Sequence, residues 1–337
     1  RRWPVARMAD AVLDRPDPPR AFEPPLRVAA IISALGIDGV REWAQLRDAI
    51  VDHRARGLAI RAHVVTGQQP VLDAIAADQA GGLTEVTAQL VPADRVALEA
   101  ALAAAAPHVV HFFCHGSINT GVAQLEIATR LDELGGAPTA SLRLRINDLR
   151  NMTALRGAWL VVLNCCKGGR STDRLHSIAY QLVAEVVPAA VGMLEPVDAT
   201  DAHLFARHLY GGLFQQVHDA TSRLVPGSTE PVHWCRALHA PRSVLRQRHA
   251  DDPANHREWS LPVLYVRPDP FEIRLAEPAL SDEALARMRD DAREVAAALQ
   301  ALPPSTPLSV RQQLLLLVGH LPPSMRPGLD GAFTGPI

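Results

Sequence analysis

Two short motifs in the sequence place a base and a nucleophile beside glycine. His115-Gly116 follows one apolar run, and Cys166 follows another, at 158–164. A cysteine attacks as its thiolate, which is scarce near its unperturbed pKa of about 8.5. A neighbouring imidazole raises the thiolate population and can later protonate a leaving amine. We therefore predict that His115 and Cys166 act together as base and nucleophile.

The residues beside this pair suit the same chemistry. Glycine lets the backbone approach a carbonyl and present its N–H groups, and such an oxyanion hole contributes about 3–4 kcal/mol. We predict this role for Gly116 and Gly168. Lys167 is the only lysine in the chain, and a cation beside Cys166 would favour the thiolate. The alternative for Lys167 is an exposed loop residue.

Alternating strands and helices must position these residues. Apolar runs predict strands, and segments of helical period separate them. This order is typical of a mostly parallel α/β sheet covered by helices on both faces, in which functional groups collect beyond the carboxyl ends of the strands. His115 and Cys166 both follow such ends. The predicted strands cover 26–33, 58–65, 84–91, 107–114, 158–164, 189–194 and 261–267, and the predicted helices cover 40–56, 70–79, 93–106, 176–187 and 200–217.

The composition divides the chain into three parts. Residues 1–25 are rich in Pro and Arg and predict an irregular lead-in, and 26–268 predict the α/β domain. Residues 269–337 predict a helical appendix, with helices over 281–302 and 310–317. The polar segment 117–140 is a candidate activation loop beside the predicted site.

The two motifs resemble those of caspase-like peptidases. Residues 164–168 (N-C-C-K-G) are similar to the caspase signature Q-A-C-[RQG]-G, and His115 lies 51 residues before Cys166, near the expected spacing. The resemblance to the CHAT domain is closer. Residues 106–116 are similar to its strand and His-Gly turn, and 163–169 are similar to its nucleophile strand L-S-A-C-E-T-G. With further similarity over 187–198 and 205–210, the resemblance spans about 26–267.

The CHAT domain is a caspase-like peptidase domain that often lies beside tetratricopeptide repeats. The resemblance implies a caspase-type fold with a Cys166–His115 dyad, no cofactor, and a protein substrate. It also implies a regulated effector protease of a bacterial defence or cell-death system, switched by a sensor or activator. The alternative is a catalytically silent scaffold that binds a partner or a signalling ligand. The sequence departs from the family at Lys167, where Glu is usual, and at Glu195, where Trp is common.

A substrate pocket is expected after the strand that follows the nucleophile. Glu195 and Asp198 lie there, and their carboxylates would favour Arg or Lys before the cleaved bond. Asn164 and Lys167, which flank the vicinal cysteines, complete the predicted pocket. The competing interpretation makes Asp198 a helix N-cap and Glu195 a solvated residue.

Other chemistries fit the sequence less well. His108, His111 and Cys114 crowd one strand, but no C-x-x-C pair completes a tetrahedral site, so we predict no metal. By strand alternation Cys165 is a core residue, although a redox-sensitive pair with Cys166 stays open. Cys235 is interpreted as structural. The segment 33–39 (S-A-L-G-I-D-G) lacks the G-x-G-x-x-G of dinucleotide-binding proteins.

Composition excludes several classes of function. The 337 residues are 48% hydrophobic and 21% charged, which is typical of a folded protein, and no apolar stretch approaches the roughly 20 residues of a membrane span. A net charge of −2 with 4% aromatics argues against nucleic-acid binding. Four cysteines and no signal peptide favour a reducing cytoplasm. Because the sequence begins at Arg1 and not at Met, a fragment of a longer protein stays an open interpretation.

Overall fold

The computed structural model describes residues 6–9, 17–165, 175–195, 197–225, 227–252, 257–276, 282–319, 321 and 325–332. The strands are β1 (Arg7–Met8), β2 (Arg20–Phe22), β3 (Leu26–Ile32), β4 (Ile60–Thr66), β5 (Val86–Leu90), β6 (Val109–Phe113), β7 (His115–Asn119), β8 (Val122–Ile127), β9 (Leu142–Arg145), β10 (Leu160–Leu163), β11 (Ala189–Met193), β12 (Thr229–Pro231), β13 (Pro262–Val266) and β14 (Glu272–Leu275). The helices are α1 (Gly39–Ala55), α2 (Gln69–Ala80), α3 (Arg95–Ala105), α4 (Arg130–Gly135), α5 (Ile146–Asn151), α6 (Thr153–Gly157), α7 (Leu175–Glu185), α8 (Ala199–Arg223), α9 (Trp234–Ala237), α10 (His239–Arg248), α11 (Asp282–Ala301) and α12 (Leu308–Leu317).

An eight-stranded sheet forms the centre of the fold, in the order β1-β13-β11-β10-β6-β3-β4-β5. Its neighbouring strands pair in parallel except β11 and β13, which are antiparallel. This confirms the predicted α/β fold with a mostly parallel sheet. The order sets β6, which leads to His115, between β3 and β10, so the carboxyl ends of these three strands lie at one edge of the sheet.

Helices bury both faces of this sheet. Along β6, Val109 and Phe113 belong to a core shared with α1 and α8, whereas Val110 and Phe112 belong to a second core shared with α3 and α7. Strands buried on both faces read as continuous apolar runs, which is why the sequence predicts them well. The arrangement confirms the predicted sandwich of helix, sheet and helix layers.

The lead-in 1–25 is not wholly irregular. Within it, β1 pairs in parallel with β13, and β2 pairs in parallel with β14 in a separate sheet. Phe22, which is 3% exposed, sets its ring 5.7 Å from that of Trp159. Strands of two or three residues are too short to show a periodicity. Their pairing partners also lie about 250 residues away in the sequence, so no local pattern indicates them. The proline-rich composition therefore dominates the prediction.

The segment 117–140 also differs from the predicted activation loop. β7, β8 and β9 form a three-stranded antiparallel sheet, and α4 occupies 130–135. Thr120 and Gly121, at the turn between β7 and β8, have φ of 49° and 79°. Two positive φ angles suit the twist of a two-residue hairpin. Because threonine rarely adopts such an angle, this sequence gives a weak turn signal.

The chain divides into two compact units, Arg1–Ala276 and Glu277–Ile337. The second unit contains α11 and α12 and has its own small core, which includes Val295, Leu299 and Val318. The sequence sets the corresponding boundary at 268/269, before the short strand β14 that the structure assigns to the first unit. No helix among the described residues is long and apolar enough to cross a membrane.

Candidate active site

His115 begins β7 directly after the buried end of β6 and is 7% exposed. Its Nε2 lies 2.6 Å from the carbonyl oxygen of Leu35. A carbonyl only accepts hydrogen bonds, so Nε2 carries the proton of the neutral ring. Nδ1 is then the unprotonated nitrogen, and it has no hydrogen-bond partner among the described residues. The geometry therefore makes Nδ1 the basic atom of His115.

The loop that presents the Leu35 carbonyl is held by the side-chain amide of Gln68. Gln68 Nε2 donates to the carbonyl oxygens of Ala34 (3.1 Å) and Ile37 (2.8 Å), and Gln68 Oε1 accepts from the N–H of Gly39 (2.9 Å). Gln68 is 9% exposed, so water competes little for these bonds. Through the loop, Gln68 supports the orientation of the His115 ring. Sequence analysis did not find either Gln68 or Leu35, although the order of β3 beside β6 points to this loop.

On the other motif, the structure describes the chain only as far as Cys165. The N–H of Asn164 donates to the carbonyl of Phe112 at 2.8 Å, so β10 stays in register with β6 up to this residue. Cys165 is 3% exposed and packs in the core shared with α7, in agreement with the alternation argument. Cys166, Lys167 and Gly168 lie outside the described residues. Gly116 is buried in β7 opposite Leu125.

Asn164 does not line a pocket, contrary to prediction. It is fully buried, and its Nδ2 donates to Glu42 Oε1 at 2.9 Å and to the carbonyl of Ala202 at 3.1 Å. The physical reason is the two-residue period of a strand. Asn164 shares the direction of Leu160 and Val162, which belong to the core beneath α1 and α8.

The two carboxylates of the predicted pocket make local contacts. Glu195 Oε2 lies 2.7 Å from Arg257 Nη2, in a surface pair whose side chains are 43% and 61% exposed. Asp198 is the N-cap of α8, and its Oδ1 accepts from the N–H of Thr200 at 2.8 Å. Both contacts agree with the competing interpretation of these residues.

The cap role of Asp198 gives a direct stability prediction. Asp198→Ala is expected to lower the free energy of unfolding by about 1 kcal/mol, because the first turn of α8 loses an acceptor. Asp198→Asn should stay close to the wild type, since asparagine caps helices as well as aspartate does. Urea denaturation of the three proteins measures both values. Equal loss in the two variants would show that charge, and not capping, stabilises this end of α8.

A buried acidic residue that sequence analysis did not find joins four elements below the strand ends. Glu42, on α1, is 1% exposed; its Oε1 lies 2.9 Å from His111 Nε2 and its Oε2 lies 2.8 Å from His203 Nδ1. With Asn164 on the same carboxylate and Tyr210 nearby, these residues form what we name the Glu42 cluster. A signal existed in the sequence, because Glu42 shares a helical face with the apolar Leu46 and Ala49.

The Glu42 cluster has a defined charge state. Burial acts to raise the pKa of Glu42, but hydrogen bonds from His111 and His203 outweigh it and lower that pKa overall. Glu42 is therefore a carboxylate. Burial, and then the charge of Glu42, raise the pKa of Tyr210 well above its usual value. Its hydroxyl stays protonated.

The crowded histidines, His108 just before β6 and His111 within it, have protein partners. His111 contacts Glu42, and His108 Nδ1 accepts from the N–H of Arg27 at 3.1 Å. In the part of the chain that the structure describes, no group of three or more histidine, cysteine, aspartate or glutamate side chains is arranged to hold a metal ion.

The fold indicates a class of protein. The mostly parallel sheet, with helices on both faces and His115 following β6, is consistent with a caspase-like fold. The sequence matches the family model of the CHAT domain over residues 47–265, more than half of the chain. The chain belongs to the CHAT-domain family, a caspase-like family related to proteases. No curated protein sequence matched it.

Proposed function

We propose that this chain is a cysteine endopeptidase that uses Cys166 and His115. The observation that carries the proposal is the geometry of His115, whose Nε2 lies on the Leu35 carbonyl while Nδ1 has no partner among the described residues. That ring stands at the end of β6, beside the strand that leads to Cys166. Membership of a caspase-like family supports the same reading.

The proposed reaction proceeds through a thioester. His115 Nδ1 takes the thiol proton of Cys166, and the thiolate attacks the carbonyl carbon of a peptide bond. N–H groups near Gly116 and Gly168 stabilise the oxyanion. The C–N bond breaks as the imidazolium gives its proton to the leaving amine. His115 then deprotonates a water molecule, which hydrolyses the thioester and restores the Cys166 thiol.

The proposed setting is a regulated bacterial effector that acts in the cytoplasm on a protein partner, under the control of a sensor or activator. Among the residues that the structure describes, Cys165 and Cys235 form no disulfide, which suits a reducing compartment. The competing function is a catalytically silent scaffold. An electrophilic thiol probe separates the two, since the proposal expects rapid labelling of Cys166 in the folded protein and the scaffold does not.

The proposed primary specificity is for Arg or Lys before the cleaved bond. The proposal uses the carboxylates of both Glu195, which lies 2.7 Å from Arg257 in an exposed pair, and Asp198, which caps α8. Peptides that differ only at that residue, with Arg, Asp or Leu, test it through kcat/KM. We expect Asp198→Asn, which keeps the helix cap, to lower kcat/KM for the Arg peptide and to leave the Leu peptide unchanged. A wild-type preference for Leu or Asp would contradict the assignment.

A further inference from the structure

The Glu42 cluster is a costly feature to retain in a protein core. Glu42 is 1% exposed and ionised, and a buried carboxylate is tolerated only when donors compensate for its lost water. Here two donors do so, His203 Nδ1 at 2.8 Å and Asn164 Nδ2 at 2.9 Å, and His111 Nε2 lies 2.9 Å from the same carboxylate in an ion-pair contact. An apolar side chain at the same position would avoid this penalty, so the buried charge of Glu42 indicates a role other than packing.

The position of the cluster supplies that explanation. His111 lies on β6, four residues before His115, and Asn164 lies at the end of β10, two residues before Cys166. Both contact the same oxygen of Glu42. The carboxylate thus connects the strand that leads to the base with the strand that leads to the nucleophile. Its other oxygen, through His203, connects both strands to α8.

The local structure also favours a charge at this point. Glu42 lies in the first turn of α1, where the helix dipole stabilises a negative charge. Its contacts come from His111 on β6, Asn164 on β10 and His203 on α8. Tyr210 of α8, whose ring lies 5.5 Å from that of His111, is close enough for the charge of Glu42 to raise its pKa. A glutamine at position 42 would keep one acceptor oxygen but would turn its NH₂ group towards another donor, so it could not reproduce all of these contacts.

We propose that Glu42 is a positioning residue of the Cys166–His115 pair. Backbone hydrogen bonds keep β10 in register with β6, and the Glu42 carboxylate fixes the side chain of Asn164, two residues before Cys166, against His111 of β6. It thereby orients the chain where it leaves β10 towards the nucleophile. Glu42 does not touch the reacting atoms. This inference rests on the proposed function, because it assumes that the two strand ends deliver a reactive pair.

The test measures the reactivity of Cys166 without any substrate. In the full chain, iodoacetamide alkylates Cys166 at rates followed from pH 5 to 9, with mass spectrometry of peptides to separate it from the other cysteines. Glu42→Gln is expected to lower the rate at pH 7 by up to about 30-fold, because a thiol with a pKa near 8.5 is only about 3% thiolate at that pH. Its profile should move towards that of an ordinary thiol, with a pKa near 8.5.

Asp201→Asn is the matched control. Asp201 is a buried carboxylate on the same helix as His203, and its partners, Arg248 and His249, are 2.8 Å away at the end of α10. The control should disturb packing similarly but leave the Cys166 profile within about twofold of the wild type. Equal profiles for Glu42→Gln and the wild type would overturn the inference. So would equal losses in Glu42→Gln and Asp201→Asn, since a general loss of packing would explain both.

A second pair of variants covers the case in which Glu42→Gln does not fold. His203→Asn keeps an N–H donor close to the position of Nδ1 and should retain the wild-type profile, whereas His203→Leu should lose it. Equal reactivity in these two variants would overturn the inference. If Cys166 of the wild type reacts faster than an ordinary thiol but the protein cleaves no peptide, only the proposed function would be overturned. A wild-type Cys166 that reacts as an ordinary thiol would overturn both.

Discussion

Cys166→Ala is expected to lower kcat for peptide cleavage by about 10⁶-fold, because the variant lacks the thiol that forms the thioester. Binding and the oxyanion hole alone would leave only about 10³- to 10⁴-fold acceleration over water. Cys165→Ala should retain activity within a few fold, since Cys165 is 3% exposed and packs in the core. Cleavage of a quenched-fluorescence peptide library measures both. The two substitutions remove the same atoms from adjacent positions, so their difference identifies the nucleophile.

The Cys165→Ala variant could lose activity through partial unfolding, so its stability must be measured as well. Removing a buried sulfur leaves a small cavity, and the loss of unfolding free energy is expected to be about 1–2 kcal/mol. Activity should therefore be compared at a temperature where both variants are folded. A folded Cys165→Ala without activity, beside an active Cys166→Ala, would reverse the assignment of the nucleophile.

The second large effect is a loss of stability in acid that depends on His108. Burial, and then the charge of Arg27, lower the pKa of His108 from 6.5 to about 3. The folded state therefore binds a proton less readily than the unfolded state, and stability is complete above about pH 6.5 and falls as the pH drops towards 3. At 1.36 kcal/mol per pH unit, the loss between pH 6.5 and 3.5 is about 4 kcal/mol.

His108→Phe tests this linkage. The ring of His108 stacks on Trp159 with centroids 4.1 Å apart, and phenylalanine keeps that stacking without a titratable group. The variant should be less stable at pH 8, by about 1–3 kcal/mol, because the Arg27 N–H loses its acceptor. Between pH 6.5 and 3.5, however, its unfolding free energy should fall by about 4 kcal/mol less than that of the wild type.

Phe22→Leu is a control that does not titrate. The ring of Phe22 lies 5.8 Å from that of His108, so the substitution loosens the same cluster. It should lower the unfolding free energy by a similar amount at every pH. Urea denaturation at pH 8, 6.5, 5 and 3.5 gives the slopes. A His108→Phe slope equal to that of the wild type would assign the acid sensitivity to other groups.

Much of the sheet could be predicted because its strands are buried on both faces. The run at 107–114 reads as one apolar segment, and the structure has β6 over Val109–Phe113. The long helix α8 likewise follows from its periodicity. β1 and β2 could not be predicted, since two or three residues carry no period and depend on distant pairing. The hairpin after His115 has no recognisable turn signal, because threonine, which rarely adopts a positive φ, occupies the first turn position.

The candidate site divides along similar lines. The position of His115 at a strand end followed from the sequence, because an apolar run stops there before glycine. The predicted place of Asn164 in the substrate pocket is wrong. Its polarity suggests a pocket, but the buried Glu42 carboxylate of α1 accepts its hydrogen bond within the core. That contact joins residues 122 positions apart, and local patterns do not report such distances. The Leu35 carbonyl is backbone, so no side-chain type indicates it.

The most direct test of the central claim is a comparison of new protein N-termini. Wild-type protein and Cys166→Ala are each expressed together with the proteins encoded beside this chain, and N-termini are then mapped by mass spectrometry. The account predicts a set of new N-termini that appears only with the wild type. In the uncleaved protein, the residue directly before each of them should be Arg or Lys. Identical sets from the two proteins would show that Cys166 cleaves no protein there and would contradict the account.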